Sequence, residues 1–319
     1  MNPEIDPIFS KNISVIKVLA IIGIVFGHFW ALNQVPIPLM EYWWVTSAIG
    51  LLVFSLTSGL FTAVKYTAGF DIKSYWIKKF WRIGIPFTVI NCLLLILFLF
   101  QQREGLCSTQ TAASWLGIHG FWTWFKIPQV GPYGAGLWFM TALILFYISY
   151  PLLEYINRMQ SISNIFTIVI VILLLILDRT VPYGHTLWLT LSGFFLGVWV
   201  AKSRMAYSRY FMFGLILISL LLMLLFRFVF NIKALSGLFM LIISFTLVEV
   251  CNFIKFPPFI YKLFLPFSTW VLSIYIIHMY MFINPTGVFL VDWVLSFSII
   301  LCVSFFIDFS TKKIFQAIK

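Results

Sequence analysis

The sequence predicts an all-α, polytopic membrane protein with about ten transmembrane helices and both termini in the cytoplasm. Three observations carry that prediction. Of 319 residues, 62% are hydrophobic and only 10% charged, whereas an ordinary soluble domain carries about 25% charged residues. The apolar residues gather into runs close to the ~20 residues that a bilayer crossing requires. The 21 lysines and arginines are divided unevenly between alternate connections. No polar block is large enough to fold by itself as a soluble domain, so residues 1–319 read as one membrane domain.

The apolar runs lie near 13–33, 43–64, 84–100, 135–156, 163–177, 184–200, 209–227, 234–254, 265–283 and 287–308. The fifth is short. Residues 110–125, which include TAASWLGIHGFWTWF, are rich in Trp and broken by Gly, a composition suited to an interfacial or re-entrant helix. With the amino terminus inside, the cytoplasmic connections collect fifteen basic residues: Lys11; Lys65, Lys73, Lys78, Lys79 and Arg82; Arg158; Lys202, Arg204 and Arg209; Lys255 and Lys262; Lys312, Lys313 and Lys319. The outer connections hold five, Arg103, Lys126, Arg179, Arg227 and Lys233. Basic residues accumulate on the cytoplasmic side, and this split orients the chain.

The net charge of +11 therefore belongs to a membrane face and implies no nucleic-acid partner. Lys11 followed by Ile13–Phe26 has the form of a signal sequence, but no small-residue cleavage site follows it. The first span is expected to act as an uncleaved signal-anchor. Cys92, Cys251 and Cys302 lie in apolar runs and Cys107 in a long loop, a spacing that makes neither a disulfide framework nor a metal site.

The first span, ISVIKVLAIIGIVFGHFW, carries Lys17 and His28. Ionisable residues inside a membrane segment cost a few kcal/mol and mark functional positions. Eleven residues is about three helical turns, so both side chains face one side of the helix roughly 16 Å apart. The simpler alternative has Lys17 snorkelling to the inner surface and His28 at the outer boundary. All four histidines fall on the outer side, and His28 and His278 rank above His119 and His185 because apolar text surrounds them.

The segment KYTAGFDIKSYWIKKFWRIGIP, Lys65–Pro86, interleaves aromatic and basic residues and reads as amphipathic on the inner leaflet. Its charges suit anionic lipid, or a phosphorylated donor held by Arg82 with Lys78 or Lys79. Gly84 and Pro86 are expected to break the helix before the third span. In the fourth span Trp138 is either an interface anchor or part of a substrate site. Glu249 and Asp292 are acids in membrane text that could orient partners, and Asp178 and Arg179 are expected to pair.

Several separated pieces resemble one family, the acyltransferase-3 family of integral-membrane acyltransferases, which includes bacterial O-acetylases of surface polysaccharide. Lys17 with Gly27-His28 is similar to the branch whose opening motif has Lys and Gly-His, the fucose 4-O-acetylase-like proteins. Ser58-Gly59-Leu60, KKFWRIGIP (78–86), Leu137-Trp138-Phe139 and Ser273-Ile274-Tyr275 followed by His278 resemble its later motifs in order, and Phe195-Leu196-Gly197 does so more loosely. Ser14 stands where members carry Asp, and Ala142 and Leu143 stand where the polysaccharide O-acetylases carry Glu.

The resemblance implies a single integral-membrane acyltransferase domain in the bacterial inner membrane. Such an enzyme would move an acyl group, acetyl first, from cytoplasmic acetyl-CoA to a hydroxyl of an extracytoplasmic or lipid-linked glycan. No permanently bound cofactor and no metal is implied. His28, Lys17 and His278 would be catalytic, with His as the base and Lys17 facing an oxyanion. Arg82, Lys78 and Lys79 would hold the donor, and Trp138 and Tyr275 the acceptor. A transporter or flippase of lipid-linked glycans is the rival reading, and a non-catalytic membrane partner of an envelope enzyme a third.

Overall fold

A bilayer offers no partner to a free peptide group, so apolar spans must satisfy their backbone internally. Accordingly, the computed structural model is helical throughout and has no strand among its described residues, 6–66, 69–134, 136–181, 186–203 and 207–318. Arg204, His185 and Lys319 lie outside them.

Each of the ten apolar runs has a helical counterpart. Eight helices are long and apolar enough to cross a membrane. They are α1 (Pro7–Asn33), α2 (Met40–Lys65), α3 (Ile72–Phe100), α6 (Trp138–Ile156), α7 (Ile162–Thr180), α9 (Arg209–Val229), α10 (Lys233–Val250) and α13 (Phe289–Ala317). A ninth span is a pair, α11 (Pro258–Thr269) and α12 (Val271–Tyr280), bent by 60° at Trp270. The remaining run, the sixth in order, forms the shorter apolar helix α8 (Leu187–Ser203). The Trp-rich stretch folds into two short helices, α4 (Thr109–Trp115) and α5 (Gly120–Trp124).

The expected break before the third span does not occur. Asp71 caps a helix over Ile72–Lys79 by accepting from the Ser74 amide, and a π-helical turn at Phe80–Gly84 joins it to Ile85–Phe100. The widened turn accommodates Pro86, which has no N–H and would clash with the carbonyl four residues back in a regular helix. The basic segment is thus largely the amino-terminal part of α3.

The chain divides into two compact units. The first comprises residues 1–23, 42–70 and 145–266. Its centre is the contact of α2 with α8, where backbones approach through small residues. A Cβ on Gly59 would lie 2.2 Å from the Phe194 carbonyl oxygen, and one on Gly197 2.0 Å from that of Leu56. Ser55 and Gly59, like Gly193 and Gly197, are four apart, the small-residue spacing that brings membrane helices together. The two stretches that resemble family motifs there, Ser58-Gly59 and Phe195-Leu196-Gly197, are therefore packing surfaces.

Three acids of this unit, Glu154, Glu249 and Asp178, have side-chain partners. Glu154, buried on α6, accepts from the Lys202 ammonium at 2.8 Å and from the Tyr150 hydroxyl at 3.0 Å. Glu249 accepts from Asn252, and Asp178 and Arg179 stand 3.9 Å apart as expected.

The second unit comprises residues 24–41, 71–144 and 267–319. It holds the carboxy-terminal end of α1, helices α3, α4, α5, α12 and α13, and the start of α6. Gln110 pins the loop before α6, donating to the Pro128 carbonyl and accepting from the Val130 amide. Thr141 on α6 accepts from the Gly120 amide and donates to the Gly117 carbonyl, tying α4 and α5 to the start of that span. The Asp292 carboxylate receives the amides of Thr286 and Gly287 and the Thr286 hydroxyl. It holds the turn before α13.

Candidate active site

The carboxy-terminal end of α1 is positioned by aromatic packing. Phe29 is fully buried against Phe282, Phe289 and Trp293, and Phe26 meets Phe289 and Trp293 edge-on. These contacts set the helix rotation that presents His28, half-buried, to His278. The two imidazole centroids are 5.1 Å apart.

His278 sits where α12 tightens into a 3-10 turn, His278–Tyr280, and is fully buried. Its Nδ1 lies on the Tyr275 carbonyl three residues earlier. A carbonyl only accepts, so Nδ1 carries the proton and Nε2 carries the lone pair. That Nε2 has no hydrogen-bond partner among the described residues. The Tyr275 ring completes this face of the helix at 5.6 Å from His278 and packs on Phe139 at 4.8 Å. Trp138, half-buried, meets Phe139 edge-on, so the two aromatic candidates, Trp138 and Tyr275, are linked through Phe139.

The glycine-rich turn before α6 runs across the same region. Gly134 (φ +137°) donates its amide to the Tyr280 hydroxyl at 3.0 Å, and a Cβ there would lie 2.5 Å from His119 Nε2. Gly136 (φ +75°) passes close to the Tyr275 carbonyl and the His278 ring. His119 is buried, with Nδ1 2.9 Å from the Ser114 hydroxyl and its ring stacked on Trp122. Burial lowers its pKa from the ordinary histidine value, against the opposing effect of the Gln110 carbonyl. Burial likewise pushes the Tyr133 phenol up to about 12, and that hydroxyl donates to the Asn91 carbonyl at 3.1 Å.

Lys17 and His28 stay on one unbroken helix, so the bend that would bring them together is absent and about 16 Å of helix separates them. The Lys17 ammonium stands over the Phe61 ring at 5.1 Å. Lys78 and Arg82 are exposed on α3, while Lys79 lies over Tyr75. Trp81 beside them packs on Phe315 of α13 at 5.8 Å. Among the described residues, no cluster of three or more His, Cys, Asp or Glu could hold a metal ion.

A family model described as an acyltransferase domain, that of the acyltransferase-3 family, matches residues 10–309. The chain belongs to that family. No curated protein and no solved structure matches it. The protein is thus a multi-pass membrane acyltransferase, and the matched region includes His28, His119 and His278. Three histidines of the acyltransferase, His28, His278 and His119, share one unit. Ranking by apolar surroundings found the first two. It placed His119 low because that residue sits in loop text, and only the fold brings Gly134 against it.

Proposed function

We propose that this acyltransferase transfers an acetyl group from cytoplasmic acetyl-CoA to a hydroxyl of an extracytoplasmic or lipid-linked glycan, with His28 and His278 as its acid–base pair. The observation that carries the reading is the His278 Nε2, a buried lone pair beside a second imidazole at the end of a membrane span. The acceptor oxygen attacks the thioester carbonyl while its proton passes to Nε2. The new C–O bond forms, the C–S bond breaks, and the imidazolium returns the proton to the leaving thiolate, with His28 sharing the charge.

In this reading Trp138 and Tyr275 are walls for the acceptor, and Arg82, with Lys78 and Lys79, binds the donor's phosphates. Lys17 does not touch the oxyanion and acts on it only through intervening groups. The uneven split of basic residues supports cytoplasmic termini, a cytoplasmic Arg82 segment and an outer loop over residues 102–134; a bacterial inner membrane is part of the same proposal.

The test is acyl transfer in vesicles from purified protein, with exposed Cys107 labelled by a membrane-impermeant thiol reagent to report the outer face. Wild type should acetylate a glycan acceptor supplied on the Cys107 side from acetyl-CoA on the other side. His28→Gln keeps a hydrogen bond but takes no proton at neutral pH, so its rate should fall by about 10² or more. Full activity in His28→Gln, or transfer with donor and acceptor on the same face, would overturn the reading.

A further inference from the structure

Four buried side chains on the spans of the second unit have hydrogen-bonding atoms without a partner among the described residues. They are His278 Nε2, both polar atoms of the Asn91 amide, Ser304 Oγ and Thr311 Oγ1. Asn91 and Ser304 are each 0% exposed. An amide left unpaired in an apolar interior loses the hydrogen bonds it would make in water, a destabilisation of about 1–3 kcal/mol. An apolar residue of the same shape would serve a purely structural site better.

These groups are aligned in depth. The contact of Trp81 with Phe315 marks one level of the unit. From there Asn91 lies ten residues along α3 and Ser304 eleven residues back along α13, each an advance of about 15–17 Å. Trp270, where α12 begins, meets Phe305 at 5.7 Å, next to Ser304. Seven residues beyond Asn91, roughly 10 Å further, Phe98 meets Tyr280 at 5.6 Å, in the turn that carries His278. Asn91 and Ser304 therefore share one level, between the Arg82 segment and the histidine pair.

We infer that Asn91 and Ser304 form a hydrogen-bonding station for an amide of the acyl donor's arm, midway between the basic segment and His278. An asparagine side chain presents both a carbonyl and an N–H₂ group, the complement of a secondary amide. A coenzyme A thioester carries two secondary amides between its phosphates and its sulfur, whereas a lipid chain offers none. The inference rests on the proposed use of acetyl-CoA and adds the residues that hold its arm.

The test measures binding of CoA and of pantetheine, which has the arm but no nucleotide, to the purified full-length protein, with melting temperature recorded beside it. Asn91→Leu should weaken both ligands by about tenfold, the loss of roughly one hydrogen bond. It should leave the ligand-free melting temperature unchanged or raised, because the unpaired amide is gone. Ser304→Ala, a smaller change, should weaken both in the same direction. Arg82→Ala should weaken CoA alone, since pantetheine lacks the phosphates. Wild-type pantetheine affinity in Asn91→Leu, or a lowered melting temperature of that variant without ligand, overturns the station. Failure of the wild-type protein to bind CoA would instead remove the donor assignment, and the station with it.

Discussion

In the first unit the buried Glu154 carboxylate takes bonds from Lys202 and Tyr150. In the second, the equally buried His278 Nε2 and Asn91 amide take none among the described residues. The backbones differ in the same sense. The first unit brings α2 and α8 together glycine against carbonyl at Gly59 and Gly197. The second has a bend of 60° at Trp270, two short helices and a glycine turn with positive φ beside the histidines. Tight packing with satisfied charges makes a scaffold. Irregular backbone and unpaired polar groups at membrane depth are tolerated where they line a site. Buried Ser47 and Ser236 Oγ in the first unit also have no partner among the described residues, so it is the paired imidazoles and the unpaired amide that support the proposed site in the second.

The largest expected effect tests the scaffold. Gly197→Leu places side-chain atoms where a Cβ alone would be 2.0 Å from the Leu56 oxygen, so α2 and α8 must separate. Overpacking of this kind is destabilising by about 3 kcal/mol or more. Little folded protein should be recovered, and its melting temperature should fall sharply. A Gly197→Leu protein that melts like wild type would remove the distinction between the units. His278→Gln is the complementary change, expected to lower acyl transfer by about 10² or more with the melting temperature retained. Loss of folding instead would make His278 a structural residue.

Arg82 sharpens the comparison at the donor end. Arg82→Ala should raise the KM for acetyl-CoA by about tenfold, and Arg82→Lys should recover part of that, because an ammonium makes no two-pronged contact with phosphate. Equal donor affinity in all three proteins would return α3 to the role of a lipid anchor.

The smallest effect concerns His119. Its pKa is lowered in the folded protein, so the unfolded chain binds the proton first as pH drops. Stability from this residue is complete above about pH 6.5 and declines as pH falls below that value toward the folded pKa. Melting temperature measured between pH 7.5 and 5 should decline less steeply in His119→Gln than in wild type. Identical slopes would mean that the His119 environment is not closed.

Much of this architecture was legible in the linear text. Span positions follow from apolar length and helical content from the lack of backbone partners in a bilayer, both local properties of a stretch of chain. His28 and His278 stood out because ionisable side chains are rare in such stretches. Asn91 was passed over because one amide in an apolar run of text carries no sign of whether it has a partner.

Other features depended on which helices meet, and that is decided by contacts between residues far apart in the chain. Folding placed the ring of His278 beside that of His28, 250 positions earlier, and laid the glycine turn and His119 along the same unit. It turned two motif-like stretches, around Gly59 and Gly197, into a helix contact. It carried the basic segment into its span through a π-helical turn where Gly84 and Pro86 suggested a break, and it gave Asp292 to a turn. The unbroken α1 likewise left Lys17 three turns from His28, against Phe61. Hydropathy sets what a segment must do in a bilayer, but complementary surfaces choose its neighbours, and the chemistry of a buried side chain depends on those neighbours.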